Sequence, residues 1–137
     1  MKKFFFAMLA LCVAAISFTS CEKSADPATQ PIAGKSYKCV DDVEGSYLLV
    51  RFHLNFSCYQ EVRVSRDALV TSNSNFVWDM KDGKKFTIRY APGTINKLTG
   101  EDLSGQLVYN GVYNAEAKQV TLTMTDGKTQ FICDEVK

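Results

Sequence analysis

From Gly34 onward the chain alternates apolar and polar residues with a period of two, and this alternation commits it to β-structure. Successive side chains of a strand point to opposite faces, so Leu48, Val50 and Phe52 share one face while Tyr47, Leu49, Arg51 and His53 share the other. Phe76, Trp78 and Met80 repeat the pattern. So do Phe86, Ile88 and Tyr90 against Lys85, Thr87 and Arg89, and Val120, Leu122 and Met124 against Thr121, Thr123 and Thr125. The spacing predicts strands near 35–42, 46–54, 57–65, 75–81, 85–90, 105–113, 119–125 and 128–135. Glu44-Gly45, Asp82-Gly83 and Asp126-Gly127 fall between consecutive strands. Asp-Gly favours hairpins whose two central residues both need positive φ. Residues 114–118 make a longer connection, and 92–104 reads as a lid-like loop or a short helical turn.

One wet and one dry face per strand suits an antiparallel meander. A meander of about eight strands must hide two edges, and closure into a barrel hides both. The expected fold is therefore all-β, a small eight-stranded antiparallel barrel spanning residues 34–137. An open β-sandwich built from the same strands is the alternative.

The amino terminus has a different character. Lys2-Lys3 is followed by an unbroken apolar run from Phe4 to Ile16. That run is shorter than the roughly 20 apolar residues of a membrane-spanning helix. A basic start and a short apolar core match a secretory signal. The closing sequence Phe18-Thr19-Ser20-Cys21 resembles the lipobox of bacterial lipoproteins, which implies lipidation of Cys21 and cleavage before it. Residues 1–20 are thus read as signal peptide and 21–33 as lipidated cysteine plus flexible tether, since Glu22 to Pro31 is small, polar and proline-containing. Loss of the signal removes Lys2 and Lys3 but no acid, so the formal charge moves from +1 to −1. A near-neutral domain without a basic block argues against nucleic acid as partner.

Of five cysteines, Cys12 leaves with the signal and Cys21 carries lipid. No Cys-x-x-Cys pair exists among Cys39, Cys58 and Cys133, and His53 is the single histidine, so zinc and redox motifs lack support. In a closed eight-stranded meander the first and last strands lie side by side. Cys39 and Cys133 sit on those strands, so a disulfide between them is expected, with Cys58 as the odd thiol. Three small buried hydrophobes are the other reading.

The lipobox, the tether, Gly34-Lys35-Ser36-Tyr37 opening the first strand and the run of hairpins together resemble the small lipocalin-like lipoproteins of Bacteroidetes. The resemblance implies a lipid-anchored barrel of the cell envelope, at the outer membrane. Lipocalins carry Gly-x-Trp where this chain has Tyr37, and its one tryptophan is Trp78.

Catalytic signals are sparse. His53 has no nucleophile motif around it, and the carboxylates at 41–44 and 79–83 lack the spacing of a calcium loop. The chain is expected to be non-enzymatic and to need no cofactor or metal. Tyr37, Phe52, Trp78, Phe86, Tyr90 and Tyr109 are the candidate ligand-binding residues, lining the barrel interior around a small apolar or glycan-like ligand. The same rings can instead fill a core. In that case the domain serves as an interaction module docking on a larger envelope protein.

Overall fold

The computed structural model describes residues 23–137; Cys21 and the signal segment lie outside the described residues. The chain forms eight strands: β1 (Ser36–Val40), β2 (Tyr47–Phe52), β3 (Ser57–Arg63), β4 (Thr71–Met80), β5 (Lys85–Tyr90), β6 (Leu107–Asn114), β7 (Gln119–Met124) and β8 (Gln130–Val136). Each pairs antiparallel with the next, and β1 pairs with β8, which closes the barrel. Closure excludes the open sandwich. Among the described residues there is no helix; the 91–106 connection is built of turns and one bridge, Ile95 to Asp102.

The alternation places the core as expected. Leu48, Val50, Phe52, Phe76, Trp78, Met80, Phe86, Ile88, Val120 and Leu122 are all buried. Met124 departs from this, because it ends β7 and stays partly exposed. β4 begins four residues before the expected 75, because Thr71–Asn73 pairs with Gln60–Val62 on β3 beyond a bulge near Cys58–Gln60. A second bulge falls between Ile88 and Arg89, where β5 meets β6. Bulges sharpen strand twist, which a small barrel needs in order to close.

The Asp-Gly turns work by a different device from the two-residue hairpin. Only the glycines, Gly83 and Gly127, take positive φ. The Asp82 carboxylate instead accepts from the backbone N–H of Lys84 (2.8 Å) and Lys85 (2.7 Å). Asp126 accepts from those of Lys128 (2.8 Å) and Thr129 (2.9 Å). These are longer loops held by a side chain that mimics backbone.

Residues 25–33 differ from the flexible tether expected of them. Ala25, Ile32 and Ala33 are buried, Ile32 completely. The Ala25 N–H donates to the Leu54 carbonyl (2.7 Å), the Gln30 amide to that of Met80 (3.1 Å) and the Gly34 N–H to that of Phe52 (2.7 Å). The segment therefore lies across one end of the barrel as a cap. The apolar residues Ile32 and Ala33 sit among polar neighbours, and that pair was the only sign of packing in the sequence.

Candidate ligand-binding end of the barrel

The two ends of the barrel differ in how they are filled. At the capped end the rings interlock. Phe52 meets Tyr37 (centroids 5.9 Å), Trp78 (5.7 Å) and Phe86 (5.3 Å), each edge-on. Edge-to-face contact is the favoured geometry for such pairs. Trp78 also packs on Phe56 (5.0 Å), and its indole N–H donates to the His53 carbonyl (3.0 Å). Gly111, opposite Phe86 on β6, leaves the space that the Phe86 ring fills. Four of the six candidate ligand residues, Tyr37, Phe52, Trp78 and Phe86, thus belong to this packed layer.

One polar feature interrupts it. The Tyr37 hydroxyl and one carboxylate oxygen of Glu135, its cross-strand neighbour, are buried without a hydrogen-bond partner. Lys35 Nζ lies 4.0 Å from that oxygen. Burial, then the neighbouring Tyr113 and Glu135, push the Tyr37 phenol well above its ordinary range.

The remaining two candidates, Tyr90 and Tyr109, lie toward the other end, where the connections 41–46, 64–70, 91–106 and 125–129 emerge. There five inward side chains, Cys39, Val62, Tyr90, Val108 and Phe131, are only half buried, while Tyr109 is buried. Tyr90 tilts on Phe76 (5.5 Å), and Tyr109 meets Phe131 edge-on (6.3 Å). The Tyr109 hydroxyl donates to Gln60 Oε1 (2.9 Å). Gln60 is on β3 and Tyr109 on β6, strands that do not pair, so this bond crosses the interior. Burial, with Cys58, Cys133 and Tyr90 nearby, pushes the Tyr109 phenol up to about 12. The result is a partly buried apolar end with one oriented polar pair inside it. Sequence reasoning missed Gln60, Val62 and Val108. Gln60 reads as a polar residue in a mixed strand, and only the register shows that it faces inward.

A cavity of about 410 Å³ lies on the outer wall, lined by residues that include Lys38, Tyr47, Leu49, Arg51 and Glu61. Its polar groups already serve one another. Glu61 accepts from the Tyr47 hydroxyl and from that of Tyr59 (2.7 Å), which holds its carboxyl below the usual range. Lys38 sits over the Tyr47 ring (4.5 Å), and Arg51 Nε donates to Ser36 Oγ (3.0 Å). This is a self-satisfied surface network on β1–β3.

No group of three or more metal-ligating side chains occurs among the described residues. Cys39, Cys58 and Cys133 are free thiols, so the expected Cys39–Cys133 bond is not formed in the structure. No family model, curated protein or solved structure matches the chain.

Proposed function

We propose that the protein is a non-enzymatic binding module, a lipid-anchored envelope barrel that takes a small apolar or glycan-like ligand at its half-open end. The observation that carries this reading is the asymmetry of the interior. One end is capped and filled by interlocked rings, while the other exposes Tyr90, Phe131, Val62 and Val108 around the Tyr109–Gln60 pair. Ligand sites are concave and mostly apolar, with a few placed polar groups. The second end supplies the apolar lining and the placed polar pair.

The cap bears on orientation. Ala25 is already tied to Leu54, so only Glu22, Lys23 and Ser24 separate it from Cys21. A lipid on Cys21 would hold the capped end near the bilayer and leave the mouth facing away from it.

The test is titration with an apolar fluorescent naphthylamine, comparing the wild type with Tyr90→Arg. Saturable binding that the variant loses, at unchanged melting temperature, supports the reading. Absence of binding, or binding indifferent to Tyr90, removes it. A second reading, docking on an envelope protein, is favoured by the exposed Val40, Val64, Leu69 and Leu98, which stand at the same end, Leu69 at 90% and Leu98 at 96% exposure. It predicts no probe binding and a loss of complex formation on Leu69→Asp.

A further inference from the structure

We propose that Cys39 and Cys133, free thiols in the structure, join on oxidation in a disulfide across the β1–β8 seam, latching the barrel where its ladder stops. This seam is the shortest in the barrel. It has three registered pairs, Ser36–Val136, Tyr37–Glu135 and Lys38–Asp134, against five or six in every other ladder. The same register carried one step further sets Cys39 opposite Cys133. Directly opposed residues of an antiparallel pair have Cα atoms about 4.5–5.5 Å apart. A disulfide spans roughly 4.4–6.8 Å. Both side chains face the interior, Cys133 within the core and Cys39 packed against it.

Burial orders the chemistry. Cys133 and Cys58 are buried at 0% and 1% exposure, whereas Cys39 is half buried. Cys39 is therefore the entry point for a small external disulfide as oxidant. Its thiol loses a proton to solvent, and the thiolate attacks one sulfur of the oxidant, releasing the other as thiolate. Cys133 then loses its proton and attacks Cys39 Sγ in the mixed disulfide, which releases the second thiolate. Two protein thiols and one external disulfide become one protein disulfide and two external thiols. Cys58, on β3, remains a thiol.

The latch closes a loop of about 95 residues, long enough for the cross-link to raise the melting temperature by about 10 °C or more. It also fixes β1 to β8 beside the half-open mouth, since Cys39 is among the side chains that line it.

The experiment uses the full chain in detergent, incubated with oxidised glutathione, quenched in acid, unfolded, alkylated and digested with trypsin. Cys39, Cys58 and Cys133 fall in separate peptides, 39–51, 52–63 and 129–137. The expected product is a linked 39–51/129–137 pair, two hydrogens lighter than its parts, with Cys58 alkylated. Cys58→Ala should keep the link, and Cys39→Ser should leave Cys133 fully alkylated. A persistent glutathione adduct on Cys39 with Cys133 still a thiol would overturn the proposal. So would a link involving Cys58, or no oxidation at all.

Discussion

Gly111 is the position where the packing of the capped end can be tested with one methyl group. Its backbone does not occupy the left-handed region, so conformation alone does not require glycine there. Space does. A Cβ built on Gly111 would stand 2.1 Å from Phe86 Cζ and 2.2 Å from Cε2. Ordinary contact needs about 3.4 Å or more, so the ring would have to retreat by over an ångström. Phe86 has nowhere free to go, because it abuts Phe52, which is itself wedged between Tyr37 and Trp78. Forcing extra volume into such a core costs about 1–3 kcal/mol. Replacing glycine by alanine returns about 0.4–1 kcal/mol through the unfolded chain. The net expectation for Gly111→Ala is a loss of about 1–2 kcal/mol, seen as a lower urea midpoint at unchanged slope. The double variant Gly111→Ala with Phe86→Leu should lose less than the sum of the two singles, because the smaller side chain relieves the clash. A neutral or stabilising Gly111→Ala would refute the argument, as would strict additivity with Phe86→Leu.

Four further outcomes are expected. Trp78→Ala should cost about 3–5 kcal/mol, since it empties the centre of the ring cluster, and a melting curve that barely moves would contradict that placement. Tyr37→Phe deletes a buried hydroxyl with no partner, so stability should hold or rise by about 1 kcal/mol; a clear loss in urea titration would mean that the hydroxyl is satisfied. Cys133 and Tyr109 are both held up to about 12, each chiefly by burial, from ordinary values of 9.0 and 10.0. The fold favours their protonated forms, so their contribution is complete below those ordinary values and is lost as pH rises towards 12; the urea midpoint should fall across that window, and a flat profile would count against the burial. Cys21→Ala should move the protein from the membrane to the soluble fraction, and undiminished membrane retention would exclude the lipid anchor.

Much of the fold is legible in the chain because the alternation is strict where it matters. Val50 and Phe52, Phe86 and Ile88, Val120 and Leu122 each mark a dry face, and these residues are buried in the structure. Much of the pairing order follows from short connections, since four of the seven have only four or five residues and strands joined so briefly have little choice but to pair. The start of β4 was hidden. Thr71-Ser72-Asn73-Ser74 has no apolar member, and its strand conformation comes from β3 alongside it, across a bulge. The cap was hidden for a related reason. Residues 25–33 look like linker because they are small and proline-containing, but backbone hydrogen bonds to Leu54 and Phe52, with the Gln30 side-chain amide donating to Met80, hold the segment in place. The backbone bonds leave no trace in side-chain pattern. The two tyrosines near the mouth were visible as aromatics, but their difference from the four packed rings was not, because alternation assigns a face and says nothing of height along the barrel.

On the proposed function, height is what separates stability from binding in this molecule. An eight-stranded barrel has an interior only just wide enough for side chains to fill. At the capped level three phenyl-type rings and an indole share that width, and one of them needs a glycine opposite to fit. No room for a ligand is left beside them. Toward the other end the same wall carries Val62, Val108 and Cys39, which are smaller, and the rings of Tyr90 and Phe131 are only partly buried. On two of the adjoining connections, Leu69 and Leu98 point into solvent. The packed level supplies rigidity and the thinner level supplies access. A substitution at the first should therefore be read in melting temperature, and one at the second in ligand affinity. Phe131→Ala is the sharpest case. It should weaken probe binding while costing less stability than Phe52→Ala, because Phe52 is fully buried and Phe131 is not. If both cost the same stability and neither changes binding, the barrel has one filled core from end to end, and the docking reading stands in place of the binding one.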